Sequence, residues 1–325
     1  MRKFDKSQIK FMSLTRRESK TNLHDILIDP DSAPKILSQH ERSKLEEIAE
    51  SMKESRSKER PVVFAFGAHL IKNGLSRIMI ELMKFGYVQQ MLVNEAVVIH
   101  DWEFAFQGKT EENVARYIEK GQFGLWDETG RYIGNAIKCG VENGIGYGHS
   151  VGRFIENGVA GNLKAEHPYK EHSVVGQAFR MGIPLAVGVN LGQAIIHKHP
   201  GFDWSVAGRA SQIDIDRFDN TIYNLEGGVY LSIGSAVLSP QIFEKSLSAA
   251  KNVGYGGKNI RLKRFRIYVN DIQPSTWDWS KGEPPKDNPA YYLRFMKTFS
   301  RMGGRSEYIE MDNVKFLHNL YHLLK

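Results

Sequence analysis

The run Val62-Val63-Phe64-Ala65-Phe66, closed by Gly67, constrains the fold more than any other stretch. Five apolar residues without polar alternation describe a strand buried on both faces. Such strands belong to parallel sheets covered by helices on either side. The next segment has a different period. Leu75, Ile78, Met79 and Leu82 recur at helical spacing, so Leu70 to Phe85 reads as a helix that stops at Gly86. Gln90 to Val93 is the following strand, and the three segments make one right-handed βαβ unit.

The alternation continues along the chain. Helices are expected at Thr110 to Lys120, Thr129 to Glu142, His172 to Met181, Pro240 to Lys251 and Val314 to Leu324. Strands are expected at Ile183 to Val189, Gly228 to Ile233, Arg264 to Val269 and Ser306 to Met311. The glycine-rich stretch from Gly140 to Gly161 is expected to hold turns and one short helix. This pattern implies an α/β fold with a doubly wound, mainly parallel sheet. Residues 61–325 are assigned to that domain. Residues 1–60 are read as a charged N-terminal arm with one amphipathic helix, carried by Leu45, Ile48, Ala49 and Met52.

Composition serves mainly to exclude. The single cysteine, Cys139, rules out a disulfide within the chain and a multi-cysteine zinc site. No window approaches the roughly 18 apolar residues of a membrane span. Met1 to Lys10 lacks the apolar core of a secretory signal, so a cytoplasmic location is expected. The net charge is +7, with basic clusters between Arg16 and Arg60 and between Lys251 and Arg266. No nucleic-acid motif accompanies them, and they read as solvated faces. His197 and His199 would share one face of a strand, but nothing supplies a third ligand, so no metal is assigned. Asp214, Asp216 and Asp219 read as a solvated helix face.

Ligands of open α/β sheets bind at the carboxyl ends of the strands. That rule places a candidate site at His69, Asn94, Glu95, Asn190, Gly234, Ser235 and Asp312.

Three segments carry a family resemblance. Pro61 to Ser76 resembles the first strand and helix of deoxyhypusine synthases. Asn94 to Glu103, which contains Ile99-His100-Asp101, is similar to the next strand end of that family, and Gly228 to Ser235 to its glycine-rich strand end against NAD. The resemblance implies a homotetramer or dimer that binds NAD and oxidises a polyamine or related amine. The aminoalkyl group would pass through an imine on a lysine. It further implies that Lys297 is the catalytic lysine. His69, Asn94, Glu95, Gly234, Ser235 and Asp312 would touch the cofactor, and His100, Asp101 and Asn190 the substrate. The chain departs from the family at His69, at Ser239 and at Asn190-Leu191-Gly192, and it lacks a Trp-Gly-Lys signature at Lys297. Two alternatives stay open: a non-redox ligand-binding or regulatory protein on the same scaffold, and an enzyme acting on a phosphorylated substrate.

Overall fold

A computed structural model describes residues 3–255 and 262–325. Part of the basic stretch between Lys251 and Arg266 lies outside them. Six strands form one parallel sheet: β1 (Val62–Phe66), β2 (Gln90–Asn94), β3 (Leu185–Gly188), β4 (Val229–Ile233), β5 (Arg266–Asp271) and β6 (Arg305–Glu310). Their spatial order is β3-β2-β1-β4-β5-β6. The helices of seven or more residues are α1 (Gln39–Ser57), α2 (Ser76–Lys84), α3 (Glu95–Gln107), α4 (Asp127–Val141), α5 (Tyr147–Asn157), α6 (Val174–Met181), α7 (Trp204–Tyr223), α8 (Leu238–Tyr255), α9 (Arg294–Ser300) and α10 (Asn313–Leu324).

All five residues of β1 are buried, and they serve two cores. Val62, Phe64 and Phe66 join one cluster with α1, α2 and α10, while Val63 and Ala65 join a second with α7, α8 and α9. Successive side chains of a strand point to opposite faces, so a strand apolar at every position requires helices on both sides. Each fully buried large apolar side chain contributes about 1.5–3 kcal/mol, which places β1 at the centre of the sheet and not at its edge.

Three local readings are corrected. Leu70 to Phe85 is not one helix. A short helix, His69–Lys72, is separated from α2 by Asn73-Gly74-Leu75. Gly74 has φ +78, and a Cβ there would lie 1.8 Å from the Ile26 carbonyl oxygen. Thr110 to Lys120 is not a single helix either. Lys109–Glu112 is a strand paired antiparallel with Ser19–Asn22, and only Val114–Glu119 is helical. His197 and His199 do not share a strand face, because Ile195–Lys198 is a 3-10 turn.

Candidate functional site at the carboxyl edge of the sheet

The strand order reverses between β1 and β4. The chain leaves these two strands in opposite directions, which in open α/β sheets marks the place of a ligand crevice, at the carboxyl ends. The crevice is built from backbone. Gly67 N–H donates to the Ile233 carbonyl at 3.2 Å, and Gly234 N–H donates to the Asn270 carbonyl at 2.9 Å. A Cβ on Gly67 would lie 2.3 Å from the Gly234 oxygen, so no side chain fits there. Gly234 has φ +56 and faces open space, and Ser235 beside it is half-buried. Asn270 is buried at the end of β5, and its Oδ1 has no partner among the described residues.

The features a dinucleotide would use here are the bare backbone at the switch point and the orphaned acceptor near the end of β5. The turn Gly67-Ala68-His69-Leu70-Ile71-Lys72 nevertheless lacks the three-glycine fingerprint of many such sites.

At the end of β2 the predicted residues divide by role. Asn94 caps α3 by accepting from Val97 N–H at 3.2 Å. Glu95 is buried and accepts from His197 Nε2 at 2.8 Å. His197 Nδ1 in turn accepts from Gly192 N–H at 2.9 Å, which fixes the Nε2–H tautomer. Glu95 therefore ties α3 to the segment after β3, and its carboxylate is already engaged. The Tyr147 hydroxyl lies 3.5 Å from Glu95; burial and that carboxylate push its pKa well above the ordinary range.

His100 and Asp101 are adjacent on α3, so their side chains diverge by about 100°. Asp101 turns inward to the start of α6. It accepts from the Ser173 hydroxyl, from Val174 N–H at 2.8 Å and from Val175 N–H at 3.1 Å. Burial pushes its pKa up to about 6. Asp101 is a helix cap.

His100 faces a cavity of about 230 Å³, lined among others by Arg17, Lys72, Glu103 and Glu111. A second cavity of about 390 Å³ shares Lys72 and Glu111 with it and reaches His69. The two therefore adjoin, next to the turn that leaves β1. Glu111 has φ +66, an uncommon conformation for a side-chain-bearing residue. Its carboxylate accepts from the Thr21 hydroxyl at 2.9 Å and lies 3.8 Å from Lys72 Nζ. The N-terminal segment and the Lys109–Glu112 strand thus roof the cavity.

The remaining predicted residues lie elsewhere. Asn190 is on the loop after β3, and its carbonyl accepts from Gln193 N–H at 3.0 Å. Asp312 caps α10 and pairs with Lys35 at 3.2 Å, beyond the end of the edge strand β6. Two strand spacings, roughly 10 Å, separate β6 from β4. Lys297 is on α9, which runs into the amino end of β6 through Gly303-Gly304, and its Nζ sits 3.5 Å from the centroid of the Tyr291 ring. The structure does not bring Lys297 to the crevice.

A cavity of about 720 Å³ runs along β6, lined by residues such as Lys44, Trp277 and Tyr308. It is larger than the other two but lies at the far edge of the sheet. Asp214 is buried, not solvated: it accepts from Gly148 N–H at 3.0 Å and Val187 N–H at 3.2 Å, and burial pushes its pKa up to about 7. Among the described residues, no group of three or more His, Cys, Asp or Glu side chains is arranged to hold a metal ion. None of the described helices is long and apolar enough to cross a membrane.

Residues 46–122 match the family described as arginine dihydrolase ArgZ-like, C-terminal, Rossmann fold. No curated protein matches the chain. Among solved structures, unliganded AgrE is similar with a TM-score of 0.52 at 15% identity, covering 89% of this chain and 34% of that one. The ternary complex of AgrE with ornithine and NAD+ gives 0.49 at 17% identity, with coverage of 89% and 34%. A conserved putative LOR/SDH protein from Methanococcus maripaludis S2 gives 0.49 at 16%, with coverage of 91% and 73%. The chain spans about a third of the length of the AgrE chains it matches. At such identities the likeness concerns the fold alone.

These findings overturn the deoxyhypusine synthase resemblance. The segments Pro61 to Ser76 and Asn94 to Glu103, which carried much of it, lie inside the span matched by the ArgZ-like family. What they share with deoxyhypusine synthases is a buried strand, a short turn and a helix, a unit common to many nucleotide-binding sheets. Polyamine aminoalkyl transfer through Lys297 falls with the resemblance, and neither alternative to it gains support.

Proposed function

We propose that this chain is a dinucleotide-dependent enzyme acting on a small amino acid, with NAD in the crevice between β1 and β4 and the substrate in the adjoining His100 cavity. The observation that carries this reading is placement. A cavity holding a cation, Lys72, and an anion, Glu111, adjoins the turn that leaves β1 at the switch point. The two lie 3.8 Å apart, and a zwitterion would exchange that pairing for its own two ends. The matched family supports a Rossmann domain, and the AgrE complex named above holds NAD+ together with an amino acid, ornithine. When bound, NAD supplies a hydride acceptor. The chain would position the amine-bearing carbon, and the roof formed by the N-terminal segment would exclude water.

Calorimetry tests the reading. NAD is expected to bind at micromolar to millimolar concentration, and ornithine to bind more tightly once NAD is present. Ser235→Glu places a negative charge where the pyrophosphate would lie; it should abolish NAD binding while leaving the circular dichroism spectrum unchanged. Absence of both NAD and NADP binding at millimolar concentration would remove the cofactor claim.

A further inference from the structure

A buried relay ends at His100. Arg17 donates to Glu103 through two nitrogens, at 2.9 and 2.6 Å, and the two side chains are each 1% exposed. Arg17 holds the Glu103 carboxyl below the usual carboxylate range against the opposing effect of burial. Glu103 is therefore ionised and can only accept. Its two oxygens take the Thr129 hydroxyl at 2.9 Å and the Thr110 hydroxyl at 2.5 Å. The single proton of Thr110 is thus committed to Glu103, and its oxygen faces His100 Nδ1 at 2.7 Å with only lone pairs to offer. His100 must carry its proton on Nδ1. Nε2 is left as a bare acceptor, with no partner among the described residues, on a side chain that lines the cavity.

We propose that His100 Nε2 accepts a hydrogen bond from the ammonium group of the substrate, and that Arg17, Glu103 and Thr110 act as positioning residues which set its tautomer. The inference rests on the reading of the cavity as a substrate site. A carboxylate at Nε2 would meet another lone pair and be repelled, so the substrate's carboxylate is left to Lys72, which also lines the cavity. Burial keeps the imidazole neutral, with its pKa pushed down to about 4. Arg17 and Lys72 act in the same direction, and Glu103 and Glu111 oppose them. At neutral pH Nε2 is therefore an acceptor and not a donor.

The test is nitrogen-15 NMR of the histidine rings in the full chain, with NAD and ornithine as probes. His100 is expected to show a protonated Nδ1 and an unprotonated Nε2. Thr110→Val, which keeps the shape of a buried side chain, should give a mixture of tautomers with the fold intact. Ornithine should shift the Nε2 resonance of the wild-type protein. His100→Phe should weaken ornithine binding about tenfold or more, as expected for a lost hydrogen bond to a charged group, and leave NAD affinity unchanged. A protonated Nε2, or equal ornithine affinity in His100→Phe, overturns the inference. So does an Nε2 resonance that ornithine fails to move while NAD binds. Failure of NAD to bind while ornithine still shifts Nε2 sinks the cofactor reading and leaves the role of His100 supported.

Discussion

His167 sits edge-on to Phe154 at 4.9 Å and to Trp102 at 6.0 Å between ring centroids, and neither ring nitrogen has a partner among the described residues. Burial, helped by Lys170, pushes its pKa down to about 4. The unfolded chain binds a proton on this residue below about pH 6.5, and the folded chain does not until about pH 4. Stability contributed here is therefore lost as pH falls through that window. His167→Phe should gain stability relative to wild type on moving from pH 8 to pH 5, by about 2 kcal/mol in paired urea titrations. Asp101 and Asp214 act in the opposite sense. Their pKa values are raised, so they cost stability as pH rises toward about 6 and 7. The variant comparison isolates the histidine from them. At this scale the sequence located residues without assigning their work. His100 and Asp101 stood out as a pair, but their different surroundings come from segments that periodicity does not connect to α3.

The strands of the sheet were legible because burial on two faces leaves apolar runs with no polar alternation, as in β1 and β4. Elements fixed by distant pairing were not. Lys109–Glu112 is charged and carries no strand signature; it is held by Ser19–Asn22 and follows Gly108, which ends α3 in a left-handed conformation. Of the 20-residue helix α7 only the acidic face at Asp214, Asp216 and Asp219 was read, because few of its residues are apolar and buried, so its stripe is thin. Elements are also joined by single side chains. Asp101 satisfies the first N–H groups of α6 from another helix, which an N-cap serine alone cannot do. Asp101→Ala should cost about 2–3 kcal/mol, as expected for lost bonds to a charged acceptor. Hydrogen exchange would show the loss concentrated in Val174–Met181. A uniform change across the chain would argue against a capping role.

Over the whole molecule, the carboxyl-edge rule put His69, Asn94 and Gly234 at the carboxyl ends of their strands, where the structure has them, whereas the cavity roof escaped it. Arg17 and Glu103 are 86 positions apart, and no local pattern links them. Their buried pair fastens the N-terminal segment to α3. Arg17→Ala should destabilise by about 3–5 kcal/mol in urea unfolding, because a buried carboxylate is left alone. Arg17→Met combined with Glu103→Leu should recover most of that loss, since both charges then leave together. The strand order has a consequence in time. β1 pairs on one flank with β2, which follows closely, but on the other with β4, whose last residue is Ile233. At the usual pace of synthesis, about 5–20 residues per second, roughly ten to thirty seconds pass between Phe66 and Ile233. Throughout that interval an uncharged Val-Val-Phe-Ala-Phe edge is unpaired and open to strands from other chains. A nascent chain of this topology therefore carries the first strand of its main sheet with one flank bare until β4 arrives, and slower synthesis lengthens that exposure.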